Sequence, residues 1–119
     1  SEKVNLDDPV VWRQKKVKEK AIQFFEILRG TKIDAKLLRI GFDELRTKGY
    51  LCKFPERNMY KRYLAEGYSE GTANAQSGQM HSLFRQLRMV IPDPTTPNKF
   101  IVNPNSLLFE RALKAFGSL

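Results

Sequence analysis

The sequence predicts a mostly α-helical domain that carries one small antiparallel β-hairpin. Apolar residues recur at helical spacing in five separate segments, which predicts five helices. Two short runs of β-forming residues, 90–91 and 100–102, flank a connection at 92–99 that contains three prolines. The length of 119 residues, with 41% apolar and 29% charged residues, fits one globular domain over 1–119.

The first helix is predicted to be amphipathic, with a basic exterior, within an N-terminal segment 1–30. Asp8 is the expected N-cap, Pro9 the first helical residue, and Gly30 the end. Lysines that include Lys16 and Lys20 lie off the apolar face. They form either a solvated face or a contact surface for phosphates or an acidic protein.

Trp12 lies opposite the apolar face of this first helix. A tryptophan there is not expected if the helix packs only on its own domain. Two interpretations stay open: it anchors another protein chain, because buried tryptophans contribute strongly to interfaces, or it packs under the N-terminal segment.

Two more helices and a short strand are predicted between residues 31 and 66. Thr31 and Asp34 resemble a capping box that opens a helix over 31–48. A strand at 50–54 follows, and Pro55 is expected to open the third helix, which runs to Glu66. The candidate phosphate contacts that face solvent on this third helix are Arg57 and Lys61.

The fourth predicted helix, 73–89 with Thr72 as its cap, has two different faces. At 100° per residue, five polar side chains share an arc of about 80°, and five apolar ones share a separate arc of about 100°. The polar set is Asn74, Ser77, His81, Arg85 and Arg88; the apolar set is Ala73, Met80, Leu83, Phe84 and Leu87. One stripe can be buried while the other is presented.

Two residues of this helix predict more specific behaviour. Gly78 costs helix stability, so it either permits close approach of a binding partner or indicates a later helix start near Ser77. His81, the only histidine, is expected to be a hydrogen-bonded surface residue. If His81 meets a phosphate, lower pH should tighten binding.

A last helix is predicted within 103–119, after the Pro104-Asn105-Ser106 start signal and up to Gly117. Its apolar stripe should fold back onto the domain or pair with a second copy of the chain. A homodimer therefore stays open.

The order of elements over residues 31–102 resembles a winged helix-turn-helix domain with additional N- and C-terminal helices. In that family a recognition helix reads bases in the DNA major groove and the wing touches the backbone. The resemblance implies that Asn74, Ser77 and either Gln76 or His81 meet bases. It also implies that Arg85, Arg88 and Lys99 hold phosphates.

The charge distribution supports an anionic partner. The net charge is +8, and residues 11–62 carry 15 basic against 6 acidic side chains, so electrostatic capture of a phosphate backbone is expected. DNA is the preferred partner. There are two alternatives. One is RNA, on which Tyr50, Tyr60 and Tyr63 could stack if they are exposed. The other is a protein-interaction role in a larger assembly.

Other function classes find no support in the sequence. There is no phosphate-binding glycine loop and no catalytic triad pattern, so no enzyme activity and no cofactor is expected. The lone Cys52 and lone histidine argue against a metal site. No apolar run approaches 18 residues and no secretory signal is visible, which predicts an intracellular protein without a membrane anchor.

Overall fold

The computed structural model describes Leu6 and residues 14–117. In this part of the chain there are five helices and three strands: α1 (Lys15–Leu28), α2 (Lys36–Lys48), β1 (Tyr50–Cys52), α3 (Asn58–Ala65), α4 (Glu70–Gln86), β2 (Val90–Pro92), β3 (Lys99–Val102) and α5 (Leu107–Phe116). The predicted class, mostly helical with a small antiparallel sheet, is confirmed.

The first two helices begin later than the sequence predicts. Gln14 has an extended backbone, so α1 starts at Lys15; the predicted Asp8 and Pro9 start lies outside the described residues, as does Trp12. The prediction of a capping box at residues 31–34 is wrong, because α2 is preceded by Ala35, which makes no side-chain capping bond. The end of α2 is confirmed: Gly49 adopts φ 80° and its N–H donates to Leu45 O at 2.8 Å.

A four-residue turn joins α3 to α4. The α3 helix begins at Asn58 rather than at Pro55, and residues 66–69 separate it from α4. Ser69 caps α4 by accepting a hydrogen bond from the Thr72 N–H at 3.2 Å. The predicted cap at Thr72 is therefore wrong, since Thr72 already lies in the first helical turn. The α4 helix runs unbroken through Gly78.

The three strands form one antiparallel sheet in the order β1-β3-β2. Tyr50 is opposite Ile101 on one side, and Ile91 is opposite Ile101 on the other. The predicted hairpin at 90–102 is confirmed, whereas the strand predicted at 50–54 ends at Cys52. The loop 93–98 is held by Asp93, whose carboxylate accepts from the Thr95 N–H at 2.8 Å.

The core lies between the helices and the inner face of the sheet. Phe42 is central, with its ring centroid 4.7 Å from that of Phe116 and 6.4 Å from that of Phe84. Phe116 belongs to α5, so the last helix folds back onto the domain. None of the helices in the described residues is both long and apolar enough to cross a membrane.

A buried polar network fixes β1 against α2 and α3. The Asn58 side chain accepts from the Cys52 N–H at 2.7 Å and donates to Tyr50 O at 3.1 Å and Glu44 Oε2 at 3.0 Å. Asn58 and Glu44 are both buried, and Arg62 pairs with Glu44 at 3.5 Å. Because buried polar groups must be hydrogen-bonded, this network fixes the start of α3 against β1 and α2.

Candidate nucleic-acid interface

An open cleft of about 420 Å³ runs along the outer side of α4. Its walls come from α4, from the end of β1 with the loop that follows, and from the residue before α1. The lining residues are Gln14, Cys52, Lys53, Arg57, Asn74, Ala75, Ser77, Gly78, Gln79, His81, Ser82 and Arg85. The cleft therefore joins α4 to the loop 53–57, which is far from it in sequence.

The floor of the cleft is built from small side chains. Ala75, Gly78 and Ser82 follow one another along α4 at helical spacing and all line the cleft. A Cβ added to Gly78 would meet no atom within 4 Å. Internal packing therefore does not require glycine there, and the helix backbone is accessible to a close contact.

Two arginines at the rim are held by aromatic rings. The Arg57 guanidinium lies 3.9 Å from the centroid of Tyr60, and the Arg85 guanidinium lies 4.6 Å from that of Phe100. Both arginines are exposed. Cation–π contacts restrict the orientation of these side chains without neutralising them, so their N–H groups remain able to contact an anion.

His81 is buried, so its predicted surface position is wrong. It is 5% exposed, and its ring makes an edge contact with Phe100 at 6.4 Å between centroids. Burial, and to a smaller extent the nearby charges of Lys53 and Arg85, lower the pKa of His81 to about 4. The imidazole is neutral near pH 7, and lower pH is not expected to tighten phosphate binding through His81.

Two buried polar atoms of cleft residues lack a hydrogen-bond partner within the described residues. They are Nδ1 of His81 and Oε1 of Gln79. Unsatisfied buried polar atoms are rare in folded proteins. A third such atom, Oε1 of Gln76, does not belong to the cleft lining, so acceptors without a partner in the described part of the chain lie along α4 both inside and outside the cleft.

The structure brings together only part of the predicted site. Five predicted residues line the cleft: Asn74, Ser77, His81, Arg85 and Arg57. The others lie elsewhere: Arg88 after α4, Lys99 on β3, Lys16 and Lys20 on α1, and Lys61 on α3. Lys20 is half-buried, and burial lowers its pKa, so it is a weaker candidate for a phosphate contact than the exposed Lys16.

Arg88 does not extend the polar stripe of α4 as predicted, because the helix ends at Gln86. Arg88 has φ 56°, and the Asn103 side chain donates to its carbonyl at 3.0 Å. The left-handed residue turns the chain into β2, which moves the Arg88 side chain off the helical face. Lys99 is close to the hairpin loop, with its ammonium 4.3 Å from the centroid of Tyr50.

The wall that the loop 53–57 forms was not anticipated; Lys53 of this loop lines the cleft, whereas Phe54 does not. Lys53 follows β1, and its N–H donates to Asn98 O at 2.8 Å, which ties the loop 53–57 to the hairpin. Phe54 in that loop is 65% exposed, the most exposed of the large apolar side chains described. No spacing rule predicts that this loop approaches α4, since the approach depends on tertiary packing.

The tyrosines proposed for RNA stacking are engaged within the protein. Tyr63 is fully buried and donates to Leu37 O at 2.6 Å, so it is not exposed for stacking. Tyr60 is covered by Arg57, and the Tyr50 hydroxyl donates to the Glu56 carboxylate at 2.8 Å.

Within the described residues no group of three or more histidine, cysteine or acidic side chains could hold a metal ion. Comparison with protein-family models, with curated proteins and with solved structures gave no match. The function is therefore inferred from the geometry and chemistry of the cleft.

Proposed function

We propose that this chain is a DNA-binding protein of the winged helix-turn-helix class, with α4 as its recognition helix and the hairpin 90–102 as its wing. The order α2-β1-α3-α4-β2-β3 supports the proposal, as does the antiparallel pairing of β1 with β3. The four-residue turn between α3 and α4 has the length typical of helix-turn-helix motifs.

One observation carries the proposal: the cleft along α4 places hydrogen-bonding side chains between cations. Asn74 and Ser77 lie on the N-terminal half of α4, where recognition helices contact bases. The Asn amide can form paired hydrogen bonds with adenine. The cations at the edges are Lys53, Arg57 and Arg85, which suits contacts to the phosphates on either side of a groove.

The charge outside the cleft supports the same function. The net charge of +8 attracts a phosphate backbone over a distance of about 10 Å at moderate salt. Lys16 and Lys61 are exposed outside the cleft and contribute to this field without defining a docking position. Lys99 is the one lysine or arginine of the hairpin 90–102 and is therefore the wing cation that we expect to contact a phosphate.

Duplex DNA is a better candidate than RNA, because the tyrosines available for stacking on single strands make contacts inside the protein. A module of this kind acts in transcription, replication or DNA maintenance, in the compartment that contains the DNA. We assign it no catalytic role.

Fluorescence anisotropy with a labelled duplex, and with single-stranded DNA and RNA of the same sequence, tests the proposal. We expect the duplex to bind most tightly. Ser77→Glu puts a carboxylate into the cleft and should weaken duplex binding at least about tenfold, or ~1.4 kcal/mol. Thr47→Glu makes the same charge change on an exposed position of α2 and serves as the matched control.

Two results would contradict the proposal. One is the absence of duplex binding at low salt, which would leave a protein-interaction role as the better hypothesis. The other is an equal effect of Ser77→Glu and Thr47→Glu, because binding would then depend on net charge and not on the cleft.

A further inference from the structure

A second groove, of about 570 Å³, lies between the C-terminal end of α1 and α5. It shares no lining residue with the cleft along α4. Its lining includes three apolar side chains, Phe25, Leu28 and Leu108, and three cations, Arg29, Arg111 and Lys114.

The apolar side chains of the groove are only half-buried. Phe25, Leu28 and Leu108 pack against the core on one side and keep part of their surface exposed on the other. Such a half-exposed set, arranged along two neighbouring helices, provides anchor positions for apolar residues of a bound segment.

The cations of the groove have no acidic neighbour in its lining. Arg29, Arg111 and Lys114 are all exposed, and the residues that line the groove include no aspartate or glutamate. Within the described residues, none of the three forms an ion pair of 4.0 Å or less. The lining of the groove therefore combines three cations with an apolar centre.

We infer that this groove binds an acidic amphipathic helix of another protein. Leucine-like side chains of that helix would cover Phe25, Leu28 and Leu108, and its carboxylates would pair with the three cations. The α5 helix has 10 residues, or about 15 Å at 1.5 Å per residue, so a complementary helix of roughly three turns fills the groove.

Two other occupants fit the groove less well. In a two-fold contact the same surface of each copy faces the other, so a second copy of this chain would bring like charges together. A nucleic-acid backbone would satisfy the cations but has no side chain to cover the apolar centre. The inference does not depend on the proposed DNA binding, since it uses different residues.

The test uses a labelled model peptide of about 15 residues, a length at which an isolated helix begins to form in water. Its leucines follow the i, i+3, i+4, i+7 pattern and its remaining positions are mainly glutamate. A peptide with glutamine in place of glutamate is the probe control. We expect anisotropy to show binding of the glutamate peptide and at least about tenfold weaker binding of the glutamine peptide.

Variants of the full chain locate the site. The pair Arg111→Glu with Lys114→Glu should weaken peptide binding more than about tenfold. The pair Lys36→Glu with Lys48→Glu makes the same net change at exposed positions of α2 and should have little effect. Leu108→Ala should weaken binding, whereas Leu107→Ala, at a 52% exposed position outside the groove, should not. Circular dichroism checks that each variant is folded.

Several results would overturn the inference. The groove is not the site if neither peptide binds, or if the two charge-reversal pairs have equal effects. It is a phosphate surface instead if the pair Arg111→Glu with Lys114→Glu weakens duplex DNA binding as much as Ser77→Glu does. Light scattering that shows a dimer, lost on Leu108→Ala, would identify a second copy as the occupant.

Discussion

The guanidinium of Arg85, on α4, lies over the ring of Phe100, on β3, at 4.6 Å from its centroid. The contact joins the last turn of the proposed recognition helix to the inner side of the wing. Because the same ring also touches His81, one aromatic side chain from the hairpin sets the positions of two cleft residues. The hairpin therefore shapes the cleft as well as extending from the domain.

Gly78→Ala should stabilise the protein and weaken its binding to DNA. Alanine at an exposed helical position is favoured over glycine by about 0.5–1 kcal/mol, and a Cβ here meets nothing inside the protein. The added methyl group would, however, stand on the floor of the cleft. Denaturant unfolding and duplex anisotropy measure the two effects.

Two other glycines provide controls for this variant. Gly71→Ala lies on the same helix in open space but outside the cleft, so it should stabilise without weakening binding. A Cβ at Gly41 would lie 2.5 Å from Met80 Sδ, so Gly41→Ala should destabilise by about 1–3 kcal/mol. Equal binding by the Gly78 and Gly71 variants would argue against close approach at α4.

Alanine substitutions of Asn58 and Asn74 are expected to have different effects: the first should lower stability, and the second should weaken duplex binding. Asn58→Ala removes three buried hydrogen bonds and should lower the free energy of unfolding by roughly 2–4 kcal/mol, because it leaves buried groups unpaired. Asn74→Ala, at an exposed position, should change stability little and weaken duplex binding. The reverse pattern in paired unfolding and anisotropy measurements would show that Asn74 is structural.

The buried His81 should make stability fall as the solution becomes acidic. Its pKa is about 4 in the folded chain and 6.5 in the unfolded chain, mainly because of burial and then because of Lys53 and Arg85. As the pH falls, the unfolded state therefore binds the proton before the folded state does. The contribution of His81 to the free energy of unfolding is fully present above pH 6.5 and is lost as the pH falls towards 4. The loss is on the order of 2–3 kcal/mol.

Urea unfolding of the native chain and of His81→Gln, at several values between pH 7 and pH 4.5, measures this contribution. The variant should lack the decline that the native chain shows. A native chain whose unfolding free energy is constant over that range would contradict the burial of a neutral imidazole. Duplex affinity should not increase between pH 8 and pH 6 on account of His81.

Apolar spacing was sufficient to predict most of the fold. It identified the buried stripe of α4 and the apolar stripe of α5, and the short runs of β-forming residues identified the hairpin. It left open whether α5 packs on its own domain or pairs with a second copy, because the stripe is the same in both cases. The starts of α2 and α3 were not predictable, because Ala35 and Arg57 precede them without a side-chain capping bond. A helix that lacks a capping side chain gives no local signal of its first residue.

The side chains of the cleft were predictable on α4 and at Arg57, but the approach of the loop 53–57 to α4 was not. Asn74, Ser77 and Arg85 follow from helical periodicity alone. His81 is at the border of the apolar stripe, and the ring of Phe100 from a distant strand decides that it is buried. Lys53 and Arg57 reach the cleft because the Asn58 network positions the loop before α3, and such long-range contacts have no signature in local spacing.

The salt dependence of duplex binding is the sharpest test of DNA recognition through the cleft along α4. For a chain that contacts about six phosphates, log affinity should fall against log salt concentration with a slope near −5. Replacing both Arg57 and Arg85 by alanine should reduce the slope by about 0.9 for each lost contact, whereas Arg111→Ala, in the other groove, should leave it unchanged. Duplex binding that is absent at low salt, or a slope that the double variant does not alter, would contradict the account.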